Sequence, residues 1–75
     1  MNFQEKLQIH IESLEKLSGF KEDMALRQVV EQLKQVRTQN DLKRYESSIR
    51  RISIDSIQNW ETINIISEFL TINAK

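Results

Sequence analysis

Apolar residues recur at helical spacing from the start of the chain. Phe3, Leu7, Ile11, Leu14 and Leu17 step by four, four, three and three, which draws one stripe down a helix of 3.6 residues per turn. Glu12 stands four residues before Lys16, an orientation that adds weak support to such a helix. Gly19 follows the stripe and is predicted to close the helix in the left-handed region, where glycine is unstrained. A second stripe is formed by Leu26, Val29, Leu33 and Val36, widened by Val30. Its helix is predicted to begin between Lys21 and Asp23, with acids near its positive end and an Asp23–Arg27 pair one turn apart.

Thr38, Gln39, Asn40 and Asp41 include no apolar residue and carry capping chemistry, so a turn is predicted there. The third helix is marked by Leu42, Tyr45, Ile49 and Ile52. That phase then fails, because Ser56 and Asn59 occupy the next stripe positions. A new phase runs through Ile57, Trp60, Ile63, Ile66 and Leu70, joined by Phe69. The pattern predicts a break around 53–55, with Ser53 or Asp55 as N-cap, and a fourth helix to about residue 72.

Three short alternations, Ile9-His10-Ile11, Ile52-Ser53-Ile54 and Ile63-Asn64-Ile65, favour strands locally. Each lasts only three residues inside a segment of helical period. The chain has no proline and one glycine, too few turn residues for a strand-rich domain of this length. The predicted class is all-α: a small bundle of three to four helices, arranged as two helical hairpins and completed by dimerisation. Residues 1–75 form a single domain on this reading.

Length bears on the dimer. A chain of 75 residues buries roughly 60% of its unfolded surface and keeps a net stability of a few kcal/mol. With no cysteine and a single histidine, neither a disulfide nor a Cys/His zinc site supplies a staple. Association with a second copy is the remaining one, so a homodimer is expected.

Charge narrows the partners. Eleven basic and eleven acidic residues cancel, which disfavours a dominant attraction to nucleic acid or anionic lipid. Locally, residues 41–52 carry Lys43, Arg44, Arg50 and Arg51 against Asp41 and Glu46, and residues 53–75 carry Asp55, Glu61 and Glu68 against Lys75. A mildly basic segment thus precedes a mildly acidic one. There is no apolar window of about 18 residues, so no membrane span is expected. The first residues lack signal-peptide character, and the cytoplasm is the expected compartment.

Catalytic equipment is sparse. His10, at the edge of the first stripe, has no sequence neighbour that would orient it as a general base, and is expected to be a boundary histidine hydrogen-bonded to a neighbour. There is no Glu-x-x-His spacing, no glycine-rich phosphate loop and no nucleophile-elbow serine. The expectation is a non-enzymatic protein with no catalytic, cofactor or metal site.

The last helix is the informative part. Ile57, Trp60, Ile63, Ile66 and Leu70 make one face, and Ile65, Phe69 and Ile72 extend it sideways. This arc is wider than one helix needs to pack inside so small a monomer, and Trp and Phe are preferred interface anchors. The arc is therefore expected to pair subunits or to dock another protein, as an adaptor, inhibitor or antirepressor would. Truncating Trp60 or Phe69 is expected to weaken that association by more than about 1 kcal/mol. Ile9 and Met24, off their stripes, are candidates for secondary contacts.

A second function is suggested by residues 52–61, Ile-Ser-Ile-Asp-Ser-Ile-Gln-Asn-Trp-Glu. This stretch resembles the recognition-helix segment of phage-repressor-like helix-turn-helix proteins. The resemblance implies Ser53 as the cap of a recognition helix, Gln58 and Asn59 facing bases or phosphates, and Arg50 and Arg51 near the DNA backbone.

Overall fold

The computed structural model describes residues 1–74. It contains four helices: α1 (Phe3–Glu15), α2 (Met24–Gln35), α3 (Gln39–Ser56) and α4 (Trp60–Asn73). Among the described residues there is no strand. The three isoleucine alternations all lie within helices, where helical periodicity over the whole segment outweighs a three-residue preference. The class is all-α, a small helical bundle.

Each helix begins with a side-chain cap. Asn2 accepts from the Glu5 amide and Asp23 from the Leu26 amide. Thr38 and Asp41 form a reciprocal capping box at the start of α3. Asn59 accepts from the amides of Glu61 and Thr62 at the start of α4. Each cap satisfies donors that the first turn of a helix leaves without partners.

The two short connections share one design. Val36 and Ile57 close α2 and α3 in nearly identical extended conformations, φ −78° ψ 129° and φ −79° ψ 128°. Both side chains are buried, and two residues later a cap, Thr38 or Asn59, opens the next helix. A buried apolar C-cap pins each turn to the core, so three residues suffice to reverse the chain.

These turns correct two expectations. The tetrad 38–41 is not a turn: only Thr38 lies outside α3, and Gln39, Asn40 and Asp41 form its first turn. The break expected at 53–55 falls at 57–59. Ser53 is buried inside α3, and its hydroxyl donates to the Ile49 carbonyl at 2.8 Å. A hydroxyl satisfied within its own helix has no need to cap. Neither Ser53 nor Asp55 starts a helix.

The connection from α1 to α2 is longer and irregular, spanning residues 16–23. Gly19 does not cap α1, which ends at Glu15 with Lys16 as a right-handed C-cap. No glycine has positive φ. Instead the Gly19 carbonyl accepts from the amides of Glu22 and Asp23, folding the loop back toward α2. Leu17 and Phe20 hang from this loop against the core, and the stripe gave Phe20 no role.

The core gathers Leu7, Ile11 and Leu14 of α1, Leu26, Val29, Val30 and Leu33 of α2, Leu42 and Ile49 of α3, and Ile63, Ile66 and Leu70 of α4. Each fully buried Leu, Ile or Val contributes about 1.5–3 kcal/mol before entropy is subtracted. The pair α2–α3 is the most extensively packed, and α1–α4 is the thinnest of the four principal packings. The expected Glu12–Lys16 and Asp23–Arg27 pairs are not formed. Among the described residues the salt bridges are Glu15–Lys34 between α1 and α2, 3.1 Å, and Glu46–Arg50 within α3, 2.9 Å.

Candidate interaction surfaces

The apolar arc of the last helix divides into three parts, because its two flanks meet different neighbours. Ile63, Ile66 and Leu70 are buried in the core, as is Ile57, which precedes α4 as the C-cap of α3. These four therefore serve mainly the monomer core. Trp60, 71% exposed, lies on one flank, and Ile65 and Ile72, 40% and 57% exposed, lie on the other. On a helical wheel the two flanks are separated by roughly 120–140°, so Trp60 and Ile72 belong to different surfaces.

The first surface is where α4 meets α1. Phe69 is half-buried and stacks on His10, with ring centroids 4.0 Å apart and planes within 1° of parallel. Ile9 on α1, 50% exposed, and Ile72 on α4 line a shallow depression around this stack, with Met1, Lys6, Ser13 and Asn73 at its edge. Ile65 stands about one helical turn before Phe69 and two before Ile72, on the same flank of α4. The result is an apolar face assembled from two helices and rimmed by polar side chains.

His10 is only 7% exposed, and its Nε2 has no hydrogen-bond partner. The expected hydrogen bond to a neighbour is thus absent at this nitrogen, and an aromatic stack takes its place. Burial pushes the imidazole pKa down from 6.5 to about 4, because desolvation disfavours the charged form. The ring is therefore neutral at pH 7. Among the described residues no group of three or more His, Asp or Glu side chains is arranged to hold a metal ion.

The second surface is a groove of about 210 Å³ between α3 and α4. Ile63, Ile66 and Leu70 contribute to its lining, Asn64 and Ser67 contribute polar groups, and the exposed Ile54 and Trp60 stand over it. Ile54 falls outside both stripe phases and carried no signal in the periodicity. Across this junction reaches Arg50, whose Nε donates to Glu46 while its two terminal nitrogens donate to Ser67 Oγ at 3.1 Å and Thr71 Oγ1 at 3.3 Å. The side chain clamps α3 to α4.

That clamp bears on the residues implied by the repressor resemblance. Arg50 is engaged inside the fold and not held out toward a DNA backbone. Asn59 spends its side-chain oxygen capping α4. Residues 52–56 finish α3, 57–59 form the turn, and only Trp60 and Glu61 are in α4. The segment 52–61 is therefore not one recognition helix capped by Ser53. Gln58 and Arg51 are exposed, on the turn and on α3 respectively.

No helix among the described residues is long and apolar enough to cross a membrane. Set against family models, curated proteins and solved structures, the chain matches none.

Proposed function

We propose that this protein is a small non-enzymatic protein-interaction module, of the adaptor, inhibitor or antirepressor kind. It acts by covering a partner's surface with the apolar face at the α1–α4 crossing. The observation that carries this reading is that Ile9 and Ile72, 50% and 57% exposed, line one depression with the half-buried Phe69, while the exposed Ile65 lies on the same flank of α4. Contiguous exposed apolar surface with a polar rim is the usual mark of a docking site.

A second copy of the chain is the first partner in this reading. A 75-residue chain with no cysteine to form a disulfide gains most from association, and a face built from two helices is suited to two-fold self-pairing. The cytoplasm is the compartment taken with it. Light scattering on size-exclusion fractions, run over a protein dilution series, tests the proposal. A dimer that dissociates on dilution is expected, with Ile72→Glu and Ile9→Glu shifting it to monomer. A monomeric wild type at every concentration up to about 1 mM, a millimolar Kd being worth only about 4 kcal/mol, would remove the second copy as partner.

A further inference from the structure

α3 uses its two sides differently. Leu42, Ile49 and Ser53 turn inward. Asn40, Arg44, Ser47 and Arg51, spaced four, three and four residues apart, run along the opposite side and are exposed. Lys43 and Ser48 flank them and are exposed too. Between residues 40 and 51 this outer side presents no apolar side chain.

Its charge is more one-sided than the composition suggests. Residues 40–51 contain two carboxylates, and the fold engages both. Asp41 Oδ2 accepts from the backbone amides of Arg37 and Thr38, bonds that hold its carboxyl below the usual carboxylate range, with Arg44 adding a smaller pull. Glu46 is paired with Arg50. Asp55, one turn beyond Arg51, is an exposed carboxylate on the same side, while Lys43, Arg44 and Arg51 are left on the surface without a salt bridge among the described residues. They span about 12 Å of the helix axis.

We infer that this outer face of α3 binds double-stranded nucleic acid, with Lys43, Arg44 and Arg51 paired to phosphates and Asn40 and Ser47 turned to the groove. Charge complementarity favours this occupant, since a zero net charge leaves a local stripe as the source of attraction. Shape agrees: a helix about 10–12 Å across enters a major groove about 12 Å wide. A protein partner would instead need an apolar centre that this face lacks. The tight packing of α2 on α3 presents the face as a rigid element. It uses helices other than the α1–α4 face, so the two readings stand or fall separately.

Fluorescence anisotropy of a labelled random-sequence DNA duplex of about 20 base pairs, titrated with the full chain across a salt series, tests the inference. Micromolar binding is expected at about 50 mM salt, with log K falling against log salt at a slope near −3 per chain, about −0.9 for each phosphate neutralised. The triple variant Lys43→Ala, Arg44→Ala, Arg51→Ala, checked for fold by circular dichroism, is expected to bind at least about 30-fold more weakly, with a flattened slope. Removing three cations elsewhere, in Lys16→Ala, Lys21→Ala, Arg27→Ala, is expected to cost far less. The inference is overturned by any of three outcomes. One is no anisotropy change at about 0.1 mM protein, the weak end of non-specific affinity. Another is an equal loss in both triple variants. The third is tighter binding of poly-glutamate than of duplex, which would assign the face to an acidic protein.

Discussion

The imidazole of His10 lies flat on the ring of Phe69, 4.0 Å between centroids, and so joins α1 to α4 through a titratable group held neutral. Its pKa is depressed from 6.5 in the unfolded chain to about 4 in the fold. Above pH 6.5 neither state binds the proton and stability is complete. As pH falls from 6.5 toward 4 the unfolded state takes up a proton that the folded state refuses, and stability is lost. The full loss approaches about 3 kcal/mol, comparable with the stability expected of so small a fold. Chemical denaturation at a series of pH values should show this decline in the wild type. It should be largely gone in His10→Phe, which keeps an aromatic stack without the titration. Asp41, whose pKa is lowered, adds a second loss at still lower pH, as its carboxylate is protonated.

Trp60 and Leu70 belong to one helical stripe in sequence but should behave as opposites. Leu70→Ala empties a packed site and is expected to cost about 2–5 kcal/mol in urea unfolding. Trp60→Ala removes an exposed ring and should change stability by no more than about 0.5 kcal/mol. A large destabilisation by Trp60→Ala would mean that the ring packs into the groove beside Ile54.

Gly19→Ala distinguishes a loop glycine from a helix cap. With no positive φ and open space where a Cβ would sit, alanine meets neither strain nor clash. It should raise the thermal midpoint slightly, a gain of about 0.4–1 kcal/mol from restricting the unfolded chain. A left-handed cap would instead make the substitution destabilising.

Neighbouring arginines on α3 should separate just as cleanly. Arg50→Ala loses charged hydrogen bonds to Glu46, Ser67 and Thr71 across the α3–α4 junction and is expected to destabilise by about 1–2 kcal/mol. Arg51→Ala, on the solvent side, should leave unfolding within about 0.5 kcal/mol of wild type. Denaturant midpoints of the two single variants give the comparison directly.

Helix number and core membership were legible in the sequence because burial repeats every three or four residues. Leu7, Ile11, Leu14, Leu26, Val29, Val30 and Leu33 sit where their stripes put them. Boundaries were less legible. A serine such as Ser53 can bond its own helix as readily as start another, and only the neighbouring turn decides between them. The wide arc on α4 was visible as hydrophobicity, but its division was not. Whether Ile65 or Ile63 meets solvent depends on the direction from which α1 and α3 approach, and that is set by turns 57–59 and 16–23. The basic segment 41–52 was visible as a charge count, but which of its charges stay free was not, because a count weighs Asp41 and Glu46 equally with Lys43 and Arg51 although the fold engages the first two.

The three connections are unequal, and this sets the order in which the molecule comes apart. Turns 36–38 and 57–59 are short and anchored by Val36 and Ile57, so α2, α3 and α4 are expected to open together. α1 is joined by the longer eight-residue segment 16–23 and rests on α4 over the thinnest of the principal packings, though Glu15 also pairs with Lys34 of α2. Helix α1 is expected to be the element that opens first, its amides exchanging with solvent ahead of those in α2 and α3. Opening of α1 would also withdraw Ile9 and His10 from Phe69 and Ile72, so the face offered to a partner lasts only while α1 is docked.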